Sequence, residues 1–248
     1  MCIRDSFIIY AMEIEIDIRK SIFENIDELY KKIKKLKEKI QNIEKHEIKI
    51  KRKEKITEWY EKFRYFFTSN NFLLIAGKDA VTNEILIKKY LEKNDLVFHA
   101  DRVQSPFGIL KNGQNAKEED ILEAAKFVAS YSKGWKLGFS SLEVFYVYPD
   151  QVSKKAPSGE YLAKGAFMIY GEKNYLNVKL EIAIGFNDKI IPGVPESVSK
   201  KTNKYVILVP GNRKPLDIAK ELSEIFYFDE NYILKFIPGN SSIIKIIR

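Results

Sequence analysis

An apolar seam between residues 22 and 43 is the feature that most limits what this chain can fold into. Steps of four and three residues alternate along the seam, through Ile22, Ile26, Leu29, Ile33, Leu36, Ile40 and Ile43. That spacing predicts a coiled-coil helix, because it places all of these side chains on one face. We predict a coiled-coil arm over residues 19–55, joined to the following domain near residues 47–55. Since no second long heptad segment covers the seam, we expect the arm to be marginally stable by itself.

The positive charge of the chain is concentrated on this arm. Sixteen Lys and Arg residues against nine Asp and Glu lie between Arg19 and Arg64, and the whole chain has a formal net charge of +8. A basic surface favours polyanionic partners, and both RNA and acidic membranes fit that description. Lysine-rich helices also occur as solvated faces with no ligand. The arm is therefore either an RNA-contacting surface or a solvated helix.

Residue counts exclude several classes of protein. Of the 248 residues 45% are apolar, which is enough for a sizeable core and excludes a disordered chain. The single cysteine, Cys2, excludes a disulfide framework, and with two histidines in the chain we expect no metal site and no cofactor. No run of about 18 apolar residues occurs, so no membrane span is predicted.

Residues 72–91 predict a strand, a tight turn and a helix. The apolar run ends at Gly77, and helical spacing begins at Glu84. Gly77 permits a backbone conformation that other residues avoid, and Asp79 is a good N-cap for the helix. Lys78 lies beside the unpaired N–H groups of the helix start, a combination that favours a phosphate. The simpler interpretation is an ordinary glycine turn capped by an aspartate.

The remaining pattern predicts an α+β fold with a mixed, largely antiparallel sheet and packed helices. Residues 56–186 form the main domain, with an amphipathic helix from Glu118 and strands at 144–152, 166–170 and 176–184. A linker or surface loop follows at 187–203, and a small αβ extension at 204–248 contains a strand at 205–209, a helix at 215–226 and a strand at 233–237. Residues 1–18 are a lead-in with an edge strand at 13–18, and its first residues resemble translated sequencing adapter.

His99 and Asp101 are the best catalytic candidates in the sequence. Alternation along a strand places both side chains on one face, where they would form an acid–base pair. A half-buried histidine that orients a loop explains the same pattern without chemistry. The sequence contains no phosphate-binding Walker loop and no HExxH, so we predict that the chain is not an enzyme. Trp135 is expected in the core, with base stacking as the alternative.

A series of short motifs between Trp59 and Phe186 resembles one known family. In order, these motifs are Gly77-Lys78-Asp79, Asn83-Glu84, His99-Ala100-Asp101, Lys111-Asn112, Ala124-Ala125, Ser132 with Trp135, Asp150 to Lys154, Ser158 to Tyr161, and Lys164 to Phe167. They follow one another as in the NFACT-R domain, the RNA-binding part of the ribosome quality-control proteins RqcH and NEMF. One departure is clear, because Val103-Gln104 stand where the family usually has a second histidine and a glycine.

The resemblance implies the RNA-binding portion of a cytoplasmic ribosome-associated quality control factor. Such proteins bind the stalled large ribosomal subunit and tRNA, and they support untemplated C-terminal tailing of the nascent chain. The expected partners are therefore large-subunit RNA, tRNA and a missing N-terminal part of the same protein. Two alternatives stay open: an RNA-processing enzyme that uses His99 and Asp101, and a module whose coil recruits a protein or a membrane.

Two sets of candidate site residues follow from the motifs and the resemblance. Cations are expected on phosphates, and amides on base edges or 2′-hydroxyls. The RNA-binding candidates are Lys78, Asn83, His99, Arg102, Lys111, Asn112, Gln151 and Lys154. The structural turn candidates are Gly77, Asp79, Gly159 and Gly165.

Overall fold

The computed structural model describes residues 17, 19–53, 58–155 and 162–247, with residues 40–53 described as backbone. Two compact units divide the chain at residues 57 and 58, close to the joint predicted at 47–55. Gly159 and most of the predicted edge strand at 13–18 lie outside the described residues.

The first unit contains the predicted long helix, α1 (Ile22–Lys53). Ser21 and Glu24 begin it as a capping box: the Ser21 N–H donates to the Glu24 carboxylate at 2.8 Å, and the Glu24 N–H donates to Ser21 Oγ at 3.3 Å. In the described part of the seam, Ile22 is 76% exposed and Leu36 is 57% exposed. No second helix packs along α1 within the described residues of this unit, so its coiled-coil pairing stays a prediction.

The second unit begins with an antiparallel sheet that confirms the α+β prediction. Its described strands are β1 (Arg64–Phe67), β2 (Leu73–Ala76), β3 (Leu96–Ala100), β4 (Gly108–Leu110) and β5 (Ser141–Val147), followed after the small hairpin of β6 (Val152–Ser153) and β7 (Met168–Ile169) by β8 (Asn174–Lys179). The strand order is β1-β2-β4-β3-β5-β8, and each pairing is antiparallel. Helices α2 (Ala80–Tyr90), α3 (Glu118–Ser130) and α4 (Lys133–Lys136) accompany this sheet.

A second sheet contains β9 (Ile182–Phe186), β10 (Ile190–Gly193), β11 (Tyr205–Arg213) and β12 (Ser241–Ile247), in the order β10-β9-β11-β12. The single strand predicted at 176–184 is therefore wrong, because β8 and β9 belong to different sheets. The break falls at Leu180, whose side chain is buried and whose N–H donates to Ser140 O at 3.0 Å. The next residue, Glu181, turns its carboxylate toward Lys126 Nζ at 3.0 Å.

The linker predicted at 187–203 is also wrong, since it contains β10 and the short helix α5 (Pro195–Ser199). Ile190, Val194 and Val198 are buried there, and the Pro, Gly and Ser residues of this region lie within β10 and α5. Pro195 occupies the first helical position, where its missing N–H costs no hydrogen bond.

The C-terminal segment packs on the core, with one change from the predicted elements. The expected strand at 205–209 and helix at 215–226 are present as β11 and α6 (Pro215–Phe226). The strand predicted at 233–237 is wrong, because α7 (Glu230–Leu234) occupies its start. Asp229 begins that helix by accepting a hydrogen bond from the Tyr232 N–H at 3.0 Å.

Trp135 joins the C-terminal segment to the first sheet. Its side chain is buried in the same hydrophobic cluster as Phe98 and Ile233, which confirms the predicted core position. The indole Nε1–H donates to Asn240 O at 3.0 Å and to Ser241 Oγ at 3.3 Å, just where β12 begins. Among the described residues, one hydrophobic cluster therefore extends from β1 to β12.

We predict that Trp135→Phe lowers the free energy of unfolding by about 1–3 kcal/mol, because it removes a buried hydrogen bond and leaves a small cavity. Urea denaturation followed by circular dichroism measures this change. Trp59→Phe is the matched control, since Trp59 is half-exposed and stacks on Tyr90 at the surface. Equal stabilities for the two variants would contradict the anchoring role of Trp135.

Candidate nucleic-acid interface

A cleft of about 670 Å³ lies between the start of α2, the loop after β3, α4 and the turn that precedes β7. Its lining is rich in positive charge, with the five cations Arg64, Lys78, Lys133, Lys136 and Lys164. Asp79 is the one carboxylate among the described residues of the lining. No described carboxylate lies within salt-bridge distance of Lys133, Lys136 or Lys164. The cleft therefore presents a net positive surface.

The turn at the start of α2 forms one corner of the cleft. Asp79 caps the helix as predicted: its carboxylate accepts a hydrogen bond from the Thr82 N–H at 2.8 Å. The same hydrogen bond holds the pKa of Asp79 below its usual range, so the carboxylate is ionised. A negative charge thus already occupies the helix N-terminus. A phosphate in this corner would lie beside Lys78 rather than on the helix N–H groups.

Gly77 is required for a different reason from the one predicted. Positive φ occurs at other glycines of the described chain, but Gly77 is not among them. A Cβ added at Gly77 would overlap the Asn83 side chain, whose Oδ1 accepts a hydrogen bond from the Phe107 N–H at 3.2 Å. Asn83 thereby joins α2 to the loop before β4. The close approach of these two elements, and not a left-handed backbone, excludes a side chain at residue 77.

Glu84 fixes the opposite wall of the cleft. One carboxylate oxygen lies 2.7 Å from Lys88 Nζ, and the other accepts from the Gly165 N–H at 2.8 Å and from Lys154 Nζ at 3.0 Å. These contacts, with Lys88 first, lower the pKa of Glu84 to about 2. Gly165 has a φ of 77°, and a Cβ there would lie 2.5 Å from Ala80 O. The turn that carries Lys164 is consequently held against the start of α2.

Arg64 forms part of the cleft floor. Its Nη1 donates to Gly77 O at 2.8 Å, and its Cζ lies 4.8 Å from the centre of the Tyr131 ring. Burial lowers the pKa of Arg64 from its usual value. No described carboxylate lies within salt-bridge distance of this guanidinium.

His99 lines the cleft but does not pair with Asp101. Its Nδ1–H donates to Ala100 O at 2.7 Å, and its ring packs 4.5 Å from the Phe107 ring. Burial lowers the pKa of His99, so the imidazole is neutral at neutral pH. The Asp101 carboxylate instead lies 3.2 Å from Arg102 Nε. This geometry favours the predicted structural role of His99 over an acid–base pair.

Comparison with known proteins decides the family. A family model described as "NFACT protein RNA binding domain" matches residues 62–171. The chain is 44% identical over 214 residues to the archaeal Rqc2 homolog aRqcH of Methanocaldococcus jannaschii, covering 82% of this chain and 32% of that protein. It is 41% identical over 120 residues to the human ribosome quality control complex subunit NEMF, covering 48% of this chain and 11% of NEMF. This chain contains an NFACT-R domain of the RqcH/NEMF family.

The chain thus spans about a third of the archaeal relative and about a tenth of NEMF. One solved structure, the C-terminal part of the fibronectin/fibrinogen-binding protein from Streptococcus suis, overlaps 51% of this chain and 48% of that chain, with a TM-score of 0.42 and 23% identity. Among the residues that the structure describes, no helix has the length and apolar character to cross a membrane.

Three of the eight candidates for RNA contact line the cleft of the NFACT-R domain: Lys78, Asn83 and His99. Three of the others have internal partners. Lys111 Nζ donates to Asp95 at 2.7 Å and to Tyr90 O at 2.8 Å, and Lys154 Nζ donates to Glu84 and to two main-chain carbonyls. The side chain of Gln151 donates to Tyr170 O and Glu172 O. These residues hold the domain together, and RNA contact by them stays a prediction.

The other two candidates lie away from the cleft on left-handed backbone. Asn112 has a φ of 54° and donates its N–H to Asp95 at 2.9 Å, whereas Arg102 has a φ of 58° and an exposed side chain. Asn112 therefore serves a turn. Arg102 carries an exposed charge that forms an ion pair with the neighbouring Asp101.

Sequence reasoning missed four cations of the cleft, namely Arg64, Lys133, Lys136 and Lys164. The sequence contains a signal for two of them. Lys133 and Lys136 are three positions apart, on either side of Trp135, and therefore lie on one face of a helix. Both lysines are exposed, whereas Trp135 is buried. Gln104, within the Val103-Gln104 departure from the family pattern, also lines the cleft. The departure therefore changes the wall of the cleft itself.

We predict that Glu84→Gln removes part of the acid sensitivity of the NFACT-R domain. The pKa of Glu84 is about 2 in the folded chain against an ordinary value of 4.5, so its stabilisation is present above pH 4.5 and is lost as the pH falls toward about 2. The variant should melt at lower temperature than wild type at neutral pH, and the difference should shrink between those two values. Thermal melting across pH measures this. Glu224→Gln on the exposed face of α6 is the control, and an equal pH profile for all three chains would refute the role of Glu84.

Proposed function

We propose that this chain binds RNA through the cleft, as the RNA-binding portion of a ribosome-associated quality control factor. The observation that carries the proposal is the charge of the cleft, where five cations face a single described carboxylate inside an NFACT-R domain. Phosphate contacts supply most of the affinity of such surfaces, because each neutralised phosphate releases counterions. Lys133, Lys136 and Lys164 are exposed and are the side chains best placed to reach the backbone of a strand.

Neutral polar groups between these cations would recognise bases or ribose. Gln104 is exposed on the cleft wall, and Asn83 and His99 lie half-buried beside it. Amide groups pair with base edges or 2′-hydroxyls, and such contacts distinguish RNA from DNA. Lys78 and Arg64 then hold a phosphate at the opposite corner. The cleft combines the two kinds of contact that a single RNA strand requires.

The proposed cellular role follows from the named relatives. The archaeal relative is called an Rqc2 homolog and NEMF a ribosome quality control complex subunit. We infer that this chain acts in the cytoplasm on the stalled large ribosomal subunit, engages tRNA there and supports untemplated tailing of the nascent chain. The ribosome would form the peptide bonds, so the chain needs no catalytic group of its own. The lysine-rich helix α1 would supply a second surface for phosphates.

We predict that RNA binding depends steeply on salt. A protein that contacts several phosphates of an RNA strand binds it more weakly as the salt concentration rises. The logarithm of the binding constant then falls with the logarithm of the salt concentration, with a slope of about 0.7 per phosphate for single strands. Titration of a labelled oligouridylate and of purified tRNA at several salt concentrations gives the slope. Affinity that does not change with salt would exclude binding through the cations of the cleft.

We predict that Lys133→Ala combined with Lys136→Ala weakens binding by up to roughly 25-fold at about 0.1 M salt, since two phosphate contacts are lost. The melting temperature should stay near that of wild type, because both side chains are exposed. The matched control is Lys179→Ala with Lys189→Ala, which removes two exposed lysines outside the cleft. Equal affinities for the two double variants would refute the assignment of the cleft.

A further inference from the structure

A second, smaller cavity of about 50 Å³ adjoins the cleft and shares two of its cations. Arg64 and Lys78 line both spaces, and Lys235, which directly follows α7, lines the smaller one. Lys235 lies outside residues 62–171, the part that the family model matches. Three cations from distant parts of the sequence therefore line one cavity.

Tyrosine rings contact two of these cations, Arg64 and Lys235. Lys235 Nζ lies 5.0 Å from the centre of the Tyr232 ring, and Arg64 is held against Tyr131. The Tyr131 hydroxyl donates to Phe236 O at 2.7 Å, so the residue after Lys235 is tied to the same tyrosine that supports Arg64. The C-terminal segment also contributes Pro238 to the wall of the main cleft. One tyrosine, Tyr131, consequently contacts both the Arg64 side chain and the backbone next to Lys235.

The charges in this cavity are not balanced. Glu61 is the one carboxylate among the described residues of its lining, and it forms no ion pair within 4.0 Å with any of the three cations. Lys78 Nζ has a weak contact, 3.5 Å from Glu61 O. Burial, followed by repulsion from Arg64 and Lys235, lowers the pKa of Lys78, and Asp79 opposes this shift. A bound anion would relieve that repulsion.

The size of the cavity limits the anion. Small-molecule pockets begin at roughly 300 Å³, so a cavity of about 50 Å³ has no room for a nucleobase. A phosphate group is smaller than a nucleobase, and arginine binds phosphate through parallel N–H groups. The same chemistry belongs to an internal phosphodiester and to a terminal phosphate of RNA.

We propose that Arg64, Lys78 and Lys235 together bind one phosphate group of the RNA. The C-terminal segment is then part of the RNA interface and not a separate extension. This proposal rests on the proposed function, because it places an additional contact at the end of the same cleft. It assigns the segment a role that the match to residues 62–171 does not contain.

The test uses the full chain and a short labelled oligouridylate, with and without a 5′-phosphate. Lys235→Ala should weaken binding about fivefold at about 0.1 M salt and lower the salt slope by about 0.7, the contribution of one phosphate on a single strand. Lys235→Arg should restore most of the affinity. Lys220→Ala on the exposed face of α6 is the matched control and should bind as wild type does. An equal loss with both RNAs identifies a phosphodiester, and a loss confined to the phosphorylated RNA identifies a terminal phosphate.

Two results would overturn the phosphate site. One is unchanged affinity of Lys235→Ala, and the other is an equal loss in Lys235→Ala and Lys220→Ala. The double variant at Lys133 and Lys136 separates this failure from a failure of the proposed function. If that double variant binds poorly while Lys235→Ala binds normally, the cleft binds RNA and the phosphate site is wrong. If both bind normally, the RNA-binding cleft itself is wrong. Thermal melting verifies that Lys235→Ala is folded.

Discussion

The carboxylate of Glu84 is the group on which the shape of the cleft depends. It accepts hydrogen bonds from Lys88 on its own helix, from Lys154 just after β6 and from the Gly165 N–H just before β7. One side chain of α2 thus binds both ends of the loop between β6 and β7. These hydrogen bonds hold Lys164 and Gly165 near the Gly77 turn, and the cleft lies between them. Without these hydrogen bonds, Lys164 would not be held on the same cleft as Lys133 and Lys136.

Two populations of lysine occur in the second unit, and their surroundings separate them. Lys111, Lys126 and Lys154 have carboxylate partners, and their charges neutralise buried or half-buried acids. Lys133, Lys136 and Lys164 have no described carboxylate within salt-bridge distance and face the cleft. The lysines of the first group stabilise the fold. The lysines of the second group give the cleft a positive electrostatic potential. A lysine in a family motif can therefore be structural or RNA-binding. The atoms that its ammonium group contacts distinguish the two roles.

Much of the fold was predictable because it is encoded locally. The helices from Glu118 and Pro215 follow from amphipathic spacing and from acidic or proline residues in the first turn. Alternation predicts strands but not their partners, so it predicts one strand at residues 176–184 although these residues enter two sheets. The apolar residues at 233–237 favour a strand, whereas the Asp229 cap three positions before Tyr232 starts the helix at Glu230–Leu234. In the site, Lys78 was found from its own turn, whereas Lys133 and Lys164 come together only through tertiary packing.

The position of β8 has a consequence for any attempt to isolate the domain. The family match ends at residue 171, yet β8, at Asn174–Lys179, is the strand that pairs with β5. A protein trimmed to the matched residues would expose the edge of β5 and would lose the buried Val178 and Leu180. Unpaired edges of this kind promote aggregation. The unit that folds stably is therefore larger than the region matched by the family model, and its solubility depends on residues outside that region.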